Sequence, residues 1–166
     1  MNINLKNPLI KIAFLVIFFY LLFIISRYLR IAPTVVSLLM PLGILFLDKW
    51  QAIIFSFVLL FLTFLSGFVV EVIGIFLLFF IPIIIFKFVK NNFLKHLFIS
   101  IFSFISFFVM YYFFGDLLPD FIENKNILTI IIFIYTLFCN FYGYLLERLK
   151  LEIKYLLNNI LNKNNR

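Results

Sequence analysis

Between Trp50 and Lys87 the chain carries one charged residue, Glu71. The apolar run around it, Gln51–Val89, is 39 residues long. As one helix it would measure about 58 Å at about 1.5 Å per residue, roughly twice the ~30 Å hydrocarbon core of a bilayer. Such a run predicts two membrane spans with a tight reversal between them. Ser66-Gly67 and the Glu71–Gly74 region are the places where the sequence admits that reversal. Either choice puts Glu71 near an interface, where a carboxylate reaches water or the amide end of a helix without a buried partner.

The rest of the chain agrees with a membrane solvent. It has 166 residues, 66% of them hydrophobic and 13% charged, with a mean hydropathy of +1.20. A soluble domain is about half apolar and about a quarter charged. The 27 phenylalanines accompany many Ile, Asn and Lys residues, a pattern that AT-rich codons produce without any ligand cage. Cys139 is the only cysteine, so no intramolecular disulfide forms and no thiolate metal set exists. The net charge of +7 is spread over loops and tail. It points to membrane orientation and anionic lipid rather than nucleic acid.

Counting spans from the N-terminus gives Ile12–Ile25, extended to Leu9 if Lys11 snorkels, then Ile31–Leu47 with Pro33 in its first turn and a kink at Pro41. Two spans lie within Gln51–Val89, and the last two are Leu97–Phe114 and Ile127–Leu146. Trp50 is an interfacial anchor beside Asp48 and Lys49. With both ends cytoplasmic, the inner segments hold Lys6, Lys11, Lys49, Lys87, Lys90, Lys95, Arg148, Lys150, Lys154, Lys163 and Arg166, and the outer ones only Arg27, Arg30 and Lys125. A five-span layout with Gln51–Val89 as one helix gives nearly the same bias, so helix length decides for six. The expected fold is therefore an all-α membrane protein of six transmembrane helices. Residues 1–147 form the membrane domain and 148–166 a cytoplasmic amphipathic tail. In that tail Leu146, Leu149, Ile153, Leu156 and Ile160 share one face, suited either to lipid headgroups or to a partner's helix.

Several polar groups merit weighing. Thr129, Thr136, Asn140 and Gly143 line one face of the sixth span, a helix-packing stripe in which small and polar residues let helices approach. Ser100, Ser103 and Ser106 form a similar ridge on the fifth. The outer loop Gly115–Asn126 groups Asp116, Asp120 and Glu123, either a solvated surface or a contact for an extracytoplasmic partner. His96 has no cysteine or carboxylate near it in sequence, which argues against a metal site or a catalytic base. No carboxylate pair, phosphate loop or ligand spacing marks an enzyme, and no cofactor is expected.

Two stretches resemble motifs of a known family. IAPTVVSLL (Ile31–Leu39), and FLSGFVVEVIG with Gly67, Glu71 and Gly74, are similar to motifs of MreD, the small membrane subunit of the bacterial rod-shape machinery. The acid is Glu where that family more usually has Asp. The resemblance implies a non-catalytic scaffold in the bacterial cytoplasmic (inner) membrane. It implies binding to an MreC-like single-span coiled-coil protein, to wall-synthesis enzymes and, on the inner side, to an actin-like cytoskeleton. Gly67, Glu71 and Gly74, with Asp116, Asp120 and Glu123, are then the expected partner contacts. The alternative is the substrate-binding subunit of an energy-coupling-factor transporter, which shares size and span number. Such subunits dock through small residues spaced by four in the first span, where this chain has Ala13 alone.

Overall fold

The computed structural model describes residues 7–115 and 125–164, with side chains over 7–115 and 126–156; Asp116, Asp120 and Glu123 lie outside the described residues. Those residues form helices and turns only. Helix α1 is Pro8–Leu29, α2 Pro33–Leu39, α3 Leu42–Phe46, α4 Lys49–Leu65 and α5 Val69–Ile75. A π-helical turn at Phe76–Phe80 leads into α6, Ile81–Phe88; α7 is Asn92–Phe114 and α8 Lys125–Asn164.

Local chemistry sets the boundaries. Asn7 caps α1, its Oδ1 accepting from Leu9 N–H at 3.0 Å, and Pro8 takes the first position, where no donor is needed. The helix closes at Arg30, whose φ of 55° is left-handed, with Ile31 N–H bonded back to Ser26 O at 3.0 Å. Asp48 opens α4 in a capping box, Gln51 Oε1 accepting from Asp48 N–H at 3.3 Å. Asn91 Oδ1 caps α7 through Phe93 N–H at 3.0 Å.

The long apolar run divides where sequence reasoning placed one of its two options. Ser66–Phe68 is the turn, with Gly67 at a φ of 88° that an L side chain rarely adopts. Glu71–Gly74 instead lies inside α5. The division is uneven, leaving 17 residues in α4 and 20 in Val69–Phe88.

Among the described residues four helices are long and apolar enough to cross a membrane: Pro8–Leu29, Val69–Phe88, Asn92–Phe114 and Asn126–Leu156. Two further apolar helices, Pro33–Phe46 and Lys49–Leu65, are shorter. The first of these is broken at Met40-Pro41. Pro41 has no N–H to offer the carbonyl four residues back, and its ring crowds that turn. The chain therefore departs from the expectation of six full-length helices, although the six apolar segments occur in the expected order.

Packing centres on α3. Leu42, Gly43, Ile44 and Leu45 are all buried, and α3 touches α1, α4, α6 and α8. Gly43 permits the approach of α4, because a Cβ there would stand 2.3 Å from Phe55 Cζ. Around this centre α1 packs on α2 and α4, and α7 packs on α6 and α8. Buried hydroxyls at Ser37, Ser56 and Thr63 donate to the carbonyl four residues back in their own helices, which keeps them neutral guests among apolar neighbours. Outward faces carry large apolar groups such as Phe14, Phe57, Phe104 and Phe133, as lipid contact requires.

Helix α8 runs for 40 residues, about 60 Å at about 1.5 Å per residue. No break separates the span from the segment after Glu147. Leu149 and Ile153 continue to pack against the central cluster, so part of the amphipathic face expected to meet lipid or a partner is covered by this chain's own bundle. Leu156, one step further, is exposed.

Candidate functional site

Three sets of interior hydrogen bonds stand out, two of them formed where a helix breaks or ends and one between the bodies of two helices. The first lies at the C-terminus of α3. Lys87, from the last turn of α6, donates through Nζ to the carbonyls of Ile44 and Leu47 and lies 3.4 Å from Asp48 O. Lys11 of α1 donates to Phe46 O at 2.6 Å. A helix C-terminus leaves its last carbonyls unpaired and carries about half a negative charge, and two ammonium groups answer both needs here. Lys150 adds positive charge around Lys87 and Lys11, while Asp48 and Glu147 oppose it.

Tyrosines of α8 make the second set. Tyr142 OH donates to Leu38 O, ahead of the break at Met40-Pro41. Tyr135 OH donates to Leu78 O at 3.3 Å, and Cys139 Sγ lies 4.0 Å from the same carbonyl. Leu78 stands four residues before Pro82, which has no N–H to return, and it sits inside the π-helical turn. Tyr135, Cys139 and Tyr142 are spaced four and three apart, so one face of α8 services the breaks in two other helices. In hydrocarbon a freed carbonyl has no water to turn to, so these contacts are obligatory.

Third is a row between α7 and α8. Asn140 Nδ2 donates to Ser100 Oγ at 3.0 Å and to Thr136 O at 2.9 Å. That orientation makes Asn140 Oδ1 the acceptor toward His96 Nδ1, 2.8 Å away, so His96 carries its proton on Nδ1. Its Nε2 then faces Tyr144 OH at 3.2 Å.

The residues expected to bind a partner separate in space. Gly67 is exposed in the Ser66–Phe68 turn, with open space where a Cβ would stand. Glu71 is half-buried in the first turn of α5, where the helix dipole favours an acid. Gly74 faces α7, its added Cβ meeting Met110 Cε at 3.5 Å. The turn is anchored from α1: Tyr20 OH and Ser66 Oγ are 2.7 Å apart, Phe68 meets Phe23 edge-on at 5.4 Å, and Arg27 lies 5.2 Å over the Phe23 ring. Arg27 Nε is buried there without a hydrogen-bond partner among the described residues.

Among the packing-stripe residues, Gly143 is buried where a Cβ would come within 2.3 Å of Phe86 Cδ2. Asn140 binds α7 as described, Thr136 is half-buried and Thr129 exposed. Sequence reasoning missed Lys11, Lys87, Tyr135 and Tyr142. For Tyr135 the available signal was Pro82, whose missing N–H frees Leu78 O four residues back; for Tyr142 it was only the helix break at Pro41, three residues past Leu38. Among the described residues no three His, Cys, Asp or Glu side chains gather as a metal set would. No protein-family model, curated protein or solved structure matches the chain.

Proposed function

We propose that the chain is a non-catalytic scaffold subunit of the bacterial lateral-wall elongation machinery, held in the inner membrane by six spans with both ends cytoplasmic. It binds an MreC-like single-span partner at its outer end. The observation that carries this reading is the use of interior polar groups. Lys11, Lys87, Tyr135, Tyr142, His96 and Asn140 hydrogen-bond to this chain's own backbone and side chains. Such bonding favours a fixed frame that presents helix faces and a turn to other proteins.

Two features support the six-span arrangement. Lys11, Lys87 and Lys150 meet around the end of α3, as groups on one membrane side would. Pro33–Phe46 is only about 21 Å long at about 1.5 Å per residue, yet its last carbonyls receive lysine ammonium groups reaching inward, so a short helix can end below the interface. The exposed Gly67 turn and Glu71 are the outer features open to a partner.

Affinity purification of the full chain in mild detergent tests the reading. Recovery of a single-span coiled-coil protein with wall-synthesis enzymes supports it. Recovery of an ATPase pair with a transmembrane docking subunit overturns it in favour of the transporter alternative.

A further inference from the structure

We propose that the corner between α6 and α7, together with the start of α4, seats the phosphate headgroups of anionic phospholipid. Three lysines from two chain segments flank the end of α6 there. Lys49 opens α4 and holds Nζ 5.5 Å over the Phe88 ring. Lys95, in the first turn of α7, holds Nζ 4.5 Å over the Phe86 ring and 3.3 Å from Asn92 Oδ1. Lys90 is exposed in the connection between the two helices. Phe86 and Phe88 therefore fix two ammonium groups at the end of α6, and the third stands two residues further on.

These lysines differ from Lys11 and Lys87, whose ammonium groups are taken up by the carbonyls of Ile44, Phe46 and Leu47. Lys49, Lys90 and Lys95 meet no carboxylate: the single ion pair among the described residues is Arg148 Nε to Glu152 Oε1 at 3.7 Å. A cation–π contact leaves a lysine's positive charge uncompensated and orients it. Beside them Trp50 is 78% and Phe93 74% exposed, aromatic groups of the kind that lie at headgroup depth. Cations held at that depth without an ion-pair partner among the described residues, the Asp48 beside Lys49 being engaged as the cap of α4, complement a phosphodiester and, for phosphatidylglycerol, a net negative lipid. A single lysine near an anionic leaflet favours it roughly fivefold. The inference stands whether or not the chain serves as a scaffold.

Trp50 is the only tryptophan and sits at the corner, so it reports its own lipid neighbours. The full-length protein is reconstituted in vesicles of phosphatidylcholine and phosphatidylglycerol, with one or the other brominated, and Trp50 quenching yields a relative association constant. The expected preference for phosphatidylglycerol is about tenfold or more, reduced by added salt. It falls toward unity in K49Q/K90Q/K95Q, persists in the matching arginine variant, and is unchanged in R30Q, on the exposed connection after α1. Equal quenching by both lipids in the native chain overturns the proposal. A preference that survives the triple glutamine variant overturns it as well.

Discussion

Replacing Lys87 by methionine keeps the volume of the side chain and removes its ammonium group. The carbonyls it serves are not equally dependent on it. Ile44 O also accepts from Leu47 N–H at 3.3 Å, and Asp48 O accepts from Ala52 N–H at 2.8 Å. Leu47 O accepts from no second donor among the described residues, so the substitution leaves one buried acceptor unpaired. An orphaned buried acceptor costs about 1–3 kcal/mol, and a hydrogen bond from a charged donor is worth about as much. Against this, removing a half-buried cation relieves repulsion from Lys150 and Lys11. The net expectation for Lys87→Met is a loss of about 2 kcal/mol, or about 4–8 °C in Tm for a chain of this size. Thermal unfolding in detergent, followed by helical circular dichroism, reads it. Lys150→Met removes the repulsion without breaking a hydrogen bond and should be neutral or slightly stabilising. A Lys87→Met protein as stable as the native chain would refute the view that ammonium groups satisfy the end of α3.

The remaining substitutions probe the same frame by the same assay. Tyr142→Phe orphans Leu38 O and should cost about 1–3 kcal/mol; Tyr135→Phe should cost less, about 1 kcal/mol, because Cys139 Sγ also approaches Leu78 O. Gly143→Ala drives a methyl to within 2.5 Å of Phe86 Cγ. The base of that ring cannot swing aside, so a loss of about 1–3 kcal/mol is expected. Gly67→Ala meets open space but must hold a φ of 88°, so about 1–2 kcal/mol is lost to backbone strain alone.

What the sequence made legible was local. The run Gln51–Val89 cannot be one helix, and its turn falls at Ser66-Gly67 because glycine is the residue that takes a positive φ there without strain. Pro33 at a helix start and the break at Pro41 follow from the missing N–H in the same way. The placement of α3 at the centre did not follow. Every segment is apolar enough to be buried or to face lipid, so hydropathy cannot rank them. Tyr135 and Tyr142 read as ordinary aromatic residues because their partners, Leu78 O and Leu38 O, are 57 and 104 residues away. Lys87 read as an orientation charge, a reading that omits its bonds to α3. His96 looked isolated because Asn140 is 44 residues distant.

Gly67 sits in the turn between α4 and α5, Glu71 in the first turn of α5, and Gly74 faces α7. Of the three, Glu71 combines a charge with access to the surface. A photo-activatable residue at position 71, introduced into the full-length chain and irradiated in living cells, tests the central claim most directly. The account predicts a cross-linked adduct with a single-span coiled-coil membrane protein. An adduct with a transporter docking subunit, or with lipid alone, would contradict it.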